Sequence, residues 1–191
     1  MGHISSIGAG MYSDLSIAKA DYESGVAPAT ETQAGFDAEF GAAEYDSVGN
    51  VREFPAMGTP PNVVNVPVYG QATSQQIQGQ SDAPSMEIQM NYVASAWADG
   101  TTLGDYVGDG IQHIFRFALL NAKPPNYDAL VVSPSIGGED TDNKIENSVY
   151  YWIGKVEALQ VTPQLTDANT ATVTITIQSD FFGAYTTTVT S

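Results

Sequence analysis

Twenty-two carboxylates, set against six Lys/Arg and two His, are the residues of this 191-residue chain whose types could carry chemistry. Paired carboxylates serve glycoside hydrolysis as acid and base or nucleophile, and clustered carboxylates hold hard cations. His3 and His113 are too few for a three-His metal site, and no His-Glu-x-x-His stretch joins them to a glutamate. His113, at the start of a strand-like run, reads as a strand residue. Glu139, Asp140 and Asp142 bring oxygens together, but the loop lacks the glycine and the bidentate glutamate of a calcium hand, so it reads as a solvated turn. Gly8-Ala9-Gly10 and Gly108-Asp109-Gly110 are fragments of a dinucleotide fingerprint, and neither follows a strand and opens a good helix. Neither a Gly-Lys-Ser/Thr phosphate loop nor a Gly-x-Ser-x-Gly elbow is present. Nothing selects one carboxylate pair from the rest. The chain is therefore expected not to be an enzyme and to use no cofactor and no metal.

Composition bounds the partners. A formal charge of −16 repels nucleic-acid phosphates and anionic membrane surfaces, which excludes DNA binding through a basic patch. Cysteine is absent, so no disulfide framework or thiolate site is available. No run approaches the roughly 18 apolar residues of a membrane span, and the start lacks a basic segment followed by an apolar one. The expectation is a soluble chain with no membrane partner. Gly and Pro make 28 of the 191 residues, with plentiful Thr, Val, Tyr and Phe, which favours strands and turns over a helical bundle.

The elements that would position these residues follow in order. Residues 1–10 are small and read as a flexible N-terminal arm. Met11–Ala20 reads as a strand. Residues 21–53 form a long acidic arm, with seven carboxylates between 21 and 50 and no Lys or Arg before Arg52. Phe36, Phe40 and Tyr45 would make one apolar stripe on a short helix there, either docking on a neighbouring subunit or belonging to a loose loop. Next come two strand runs. Val64, Val66 and Val68 share a face between Asn62 and Tyr69. Met86, Ile88, Met90 and Tyr92 alternate with Glu87, Gln89 and Asn91 between Ser85 and Val93. Ala94–Gly110 carries a weak helix signal, shortened by its glycines. His113–Asn121 is a strand and 134–147 a surface loop. In Ser148–Thr162 the apolar parity switches beside Gly154, which predicts a bulge or sharp bend there. Ala171–Ile177 alternates with threonines and is the cleanest strand. The fold class expected is mainly β: an antiparallel β-sandwich or partial barrel with one short flanking α-helix and the long acidic arm, in a single domain over residues 1–191.

One stretch carries a resemblance. A Pro-x-x-Gly-x-x-Pro corner from Phe54 to Pro61 feeds the Val-rich strand. Then come Ile77-Gln78-Gly79 and an alternating strand closing in Asn91-Tyr92. In order and spacing this resembles the central hairpin of the major tail tube proteins of long, non-contractile-tailed bacteriophages. The chain departs from that pattern at Pro67-Val68-Tyr69-Gly70 and at Ser81-Asp82-Ala83-Pro84.

The resemblance implies a structural virion protein, made in the host bacterial cytoplasm and built into the tail. Hexameric rings would stack into a tube through which DNA passes at ejection without specific binding. Besides copies of itself, the implied partners are the tape measure, tail terminator and tail tip proteins. Six copies of a −16 chain would bring −96 formal charges to a ring, a bore that repels phosphates where a basic one would trap them. Glu87, Gln89, Asn91 and Glu157 lie opposite the apolar positions of their strands and are candidates for the lumen or for an outer wet face. Phe36, Phe40, Tyr45, Arg52, Arg116, Lys144 and Lys155 are candidates for contacts between subunits. The competing expectation is a monomeric acidic β-sandwich that binds carbohydrate, with Trp97, Trp152 and tyrosines as stacking platforms.

Overall fold

The computed structural model describes residues 13–40, 45–58, 63–66, 75–78, 85–98, 103–119 and 146–188. The expected arm at 1–10, Lys144, the acidic turn at Glu139–Asp142 and the loop expected at 134–147, save its last two residues, lie outside them.

The chain is mainly β, as its composition predicts. In order it forms β1 (Asp14–Asp21), α1 (Gln33–Glu39), β2 (Tyr45–Ser47), β3 (Val51–Glu53), β4 (Val63–Val66), β5 (Gln75–Gln78), β6 (Ser85–Asn91) and α2 (Ala94–Trp97). A 3-10 turn (Gly104–Tyr106) precedes β7 (His113–Leu119), β8 (Glu146–Thr162), β9 (Thr170–Ile177) and β10 (Phe182–Thr188). The main sheet runs β2-β1-β7-β8-β9-β6-β3, antiparallel at every described pairing, and β10 pairs with β8 beside β9.

The two ends of this path are consecutive in the chain. Val48 N donates to Leu15 O at 2.8 Å and Asn91 N to Asn50 O at 2.9 Å. One segment from Tyr45 to Glu53 thus joins both margins and curls the sheet into a partial barrel. Asn50, at φ 63, makes the turn between β2 and β3, a conformation that asparagine tolerates better than most residues.

Alternation fills the barrel. Leu15, Ile17, Phe115, Phe117, Trp152, Val156, Val173, Ile175, Met86, Ile88 and Met90 point inward and are at most 4% exposed. Trp152 stacks on Phe115 with ring centroids 5.4 Å apart. Each such side chain contributes about 1.5–3 kcal/mol by leaving water, so this interior carries most of the stability.

A second, smaller core lies outside the barrel. α1 begins at the N-cap Thr32, whose hydroxyl accepts from Gly35 N. It lays Phe36 and Phe40 on Ala18, Ile114, Ala118, Val149 and Tyr151. Seven residues make too short a helix to stand alone in water, so the packing holds it.

Four expectations are corrected. The flanking helix is α1 rather than Ala94–Gly110, which yields only α2 and the 3-10 turn. Gly108 and Gly110 adopt φ of +73 and +76 and end any helix there. The acidic segment does not extend as an arm: between Gln33 and Glu53 it supplies a helix and two strands to its own barrel. The Val-rich strand does not pair with β6. It pairs with β5, Val64 opposite Ile77, in a separate two-stranded sheet, while β6 lies between β9 and β3. Finally, the register of β8 is unbroken at Gly154 and shifts between Val156 and Ala158.

The apparent parity switch has a different cause. Val149, Tyr151 and Ile153 point outward, Val156 points inward, and Ala158, past the register shift, returns to the outward face opposite Thr174. Gly154 is required by closeness instead: a Cβ there would sit 2.7 Å from Thr176 O.

Candidate functional site

The outward face of β6, β9 and the second half of β8 is the candidate. β9 supplies Thr170, Thr172, Thr174 and Thr176 at every second position, because its other positions, Ala171, Val173, Ile175 and Ile177, are committed to the core. β6 lies beside it with Asn91 opposite Thr170, Gln89 opposite Thr172, Glu87 opposite Thr174 and Ser85 opposite Thr176. β8 lies on the other side, with Gln160 opposite Thr172, Ala158 opposite Thr174 and Lys155 opposite Thr176. The bulge turns Glu157 onto this same face, where its Oε1 accepts from Thr176 Oγ1 at 2.7 Å. All four residues expected to share a wet surface, Glu87, Gln89, Asn91 and Glu157, are therefore brought onto one face. Hydroxyls and amides dominate it; its charges are Glu87, Glu157 and Lys155. Such a surface is well hydrated and offers no aromatic platform.

The residues expected between subunits divide. Phe36 and Phe40 are 0% and 1% exposed, so they dock on their own barrel and are corrected from intersubunit contacts to core. Tyr45 packs beside them. Arg116 is corrected likewise: it is 3% exposed, with its guanidinium 4.5 Å from the Phe40 ring centre and 5.1 Å from that of Tyr45. Its NH2 group donates to Ser16 Oγ at 3.5 Å. Ser16 and Ser47 both donate to the Asp14 carboxylate. Tyr151 OH donates to Asp37 on α1. Burial pushes the Asp37 carboxyl above its usual range, against the Tyr151 hydrogen bond and the Arg116 charge. Burial, then the Asp37 contact, pushes the Tyr151 hydroxyl up. This network anchors the helix. Arg52 is exposed on β3 and Lys155 half-buried on the threonine face.

A third polar group went unread in the sequence. His113, 2% exposed, lies 2.8 Å from Asp109 through Nε2 and 3.9 Å from Asp21 through Nδ1. Tyr106 stands edge-on to it at 4.7 Å and donates to Asp46 at 2.8 Å. Burial first, then the Asp46 hydrogen bond, pushes the Tyr106 hydroxyl up. Asp109 and His113 are four residues apart, a helical spacing, but Gly110 between them sits at φ 76 and the segment is a loop, so no helix signals the pair. The group ties the loop after the 3-10 turn to β1 and β7, so it is structural. Among the described residues no cluster of His, Asp or Glu is arranged to hold a metal ion, and no helix is long and apolar enough to cross a membrane.

Trp97 and Trp152, two of the expected sugar platforms beside the tyrosines, are 6% and 0% exposed inside the barrel, so neither offers a ring face to a ligand. Searches against protein-family models and against curated proteins return no match for this chain.

Proposed function

We propose that this chain is the structural subunit of a tube: copies join into hexameric rings, the rings stack, and the face of β6, β9 and β8 lines the bore. The observation that carries the reading is the composition of that face, three adjacent strands presenting Thr, Gln, Asn and Glu while their other side fills a barrel. A strand can be apolar inward and hydrated outward for many reasons. Here the outward side is continuous, nearly free of cations, and carried on a subunit of charge −16. A passage with those properties lets a phosphate polymer slide, because it releases no counterions by binding. The resemblance of Phe54–Val93 to tail tube proteins, which lies in the order and spacing of its residues although its two strands pair with other partners, supports the same reading, with DNA as the polymer and the phage tail as the location.

Size-exclusion chromatography and negative-stain imaging at high concentration test it. Rings or tubes with a central hole are the expected outcome. A species that remains at the monomer mass at every concentration, alone and with a tail initiator complex, overturns the proposal.

A further inference from the structure

The loop between the 3-10 turn and β7 holds Asp109–Gly110, a carboxyl group followed by the residue whose backbone nitrogen is least hindered. A chain can react with itself at such a pair, because no side chain keeps the glycine nitrogen from the carboxyl carbon before it. Gly110 is exposed at φ +76, and a Cβ there would meet nothing within 4 Å. Its N–H makes no backbone hydrogen bond among the described residues. The nucleophile is therefore available.

Its target is restrained. Asp109 Oδ1 accepts from Ile111 N at 2.8 Å, and Oδ2 lies 2.8 Å from His113 Nε2, which carries a hydrogen when it faces a carboxylate oxygen. His113 is itself fixed, 2% exposed and edge-on to Tyr106. A carboxyl group held at both oxygens cannot turn its carbon toward the next nitrogen, and a small misplacement of reacting atoms costs about 100-fold in rate.

We infer that Asp109–Gly110 is a latent self-modification site, which closes to a cyclic imide and opens to isoaspartate, and that His113 is the positioning residue that restrains it. Gly110 N attacks Cγ of the Asp109 carboxylic acid, a C–N bond forms, and the hydroxyl leaves as water with the proton from Gly110 N. One water then opens the imide. Attack at Cγ restores aspartate; attack at the main-chain carbonyl leaves the backbone running through Cβ and Cγ. The second product displaces the carboxylate, so both the Ile111 and the His113 contacts are lost and the loop is released from β7. All the groups lie within one chain, so the inference is independent of the tube reading.

The native chain and a synthetic peptide spanning Asp105–His113 are kept at neutral pH in water enriched in oxygen-18, and fragmentation mass spectrometry locates the label. Each imide that opens takes one heavy oxygen into residue 109. The native chain is expected to gain label at Asp109 about 100-fold more slowly than the peptide. His113→Phe keeps a ring and removes the donor, so its rate should rise toward that of the peptide. His113→Gln, whose amide still donates, should stay near the native rate. Asp99–Gly100, the same pair elsewhere in the chain and outside the described residues, is the internal reference and should not respond. Circular dichroism verifies the fold of each variant. A native rate equal to that of the peptide overturns the inference, and this comparison decides even where His113→Phe fails to fold. Absence of label at Asp109 after incubation long enough for the restrained rate also overturns it. So does an acceleration in His113→Phe that is matched at Asp99, or one that His113→Gln shares.

Discussion

Over β1, β7 and the first half of β8 the outward positions include Ala18, Ile114, Arg116, Ala118, Val149 and Tyr151, whereas over β6, β9 and the second half of β8 they are Glu87, Gln89, Thr172, Thr174, Thr176 and Gln160. Both sets sit on the outside of one barrel, and their opposite sides fill the same interior. The first is covered by α1, and among the described residues no helix lies over the second. A barrel needs only its inward positions to fold, so the outward ones are free to record what will lie against them. Where they are apolar, the chain supplies its own cover; where they are threonine and amide, the side chains are half-buried or exposed.

Removing the cover's main anchor should have the largest effect. Phe36 is fully buried and stacks on Tyr151 at 5.0 Å. Phe36→Ala is expected to cost about 3–5 kcal/mol, as for other buried aromatic truncations. Urea unfolding followed by tryptophan fluorescence measures this. A loss no larger than that of a surface substitution would mean that α1 does not hold the folded chain together. Next is Arg116→Ala, which removes a desolvated cation from beneath Phe40 and Tyr45, an interaction worth about 2 kcal/mol. The same titration should rank it below Phe36→Ala and above any change on the threonine face.

A third effect depends on pH. The folded-state pKa of Asp37 lies above its ordinary 3.8, because burial disfavours the charged carboxylate. On raising the pH, the unfolded chain loses this proton first. The stability the group provides is therefore full below 3.8 and is lost as pH rises through the higher folded value. Asp37→Asn keeps the shape and abolishes the titration. The variant should gain stability relative to the native chain between acid and neutral pH, read from urea midpoints across that range. A constant difference would contradict the assigned direction.

The same contrast explains what the sequence disclosed. β6 and β9 were legible because one side of each is core and the other water, which writes a strict alternation into Met86-Glu87-Ile88-Gln89-Met90 and Ala171-Thr172-Val173. β7 is buried on both sides, so its pattern does not tell core from solvent, and Arg116 reads as a cation for contacts between subunits. Its parity with Ile114 and Ala118, now under α1, was the usable signal. Phe36 and Phe40 announced a helix with an apolar stripe. The acidic residues around them concealed that the stripe docks on its own barrel. β5, Gln-Gln-Ile-Gln, had too little apolar content to show. The four residues of the wet face were recoverable from parity, whereas their union through β9 depends on which strands pair, a long-range fact that no local pattern holds.

On the threonine face, substitutions should barely touch the fold. Thr174→Ala and Glu87→Gln are expected to change stability by no more than about 0.5 kcal/mol, since neither removes a buried contact. That indifference makes the face a clean probe of function. Glu87→Lys with Glu157→Lys adds four units of positive charge per chain on one surface, without altering the barrel behind it. If the face lines a bore, rings of this variant acquire a cationic wall, and retention of single- or double-stranded DNA should rise and fall off steeply with salt through counterion release. If the face lies on the outer wall, DNA binds the tube exterior and remains open to nuclease. Nuclease protection of the bound DNA thus separates the two placements.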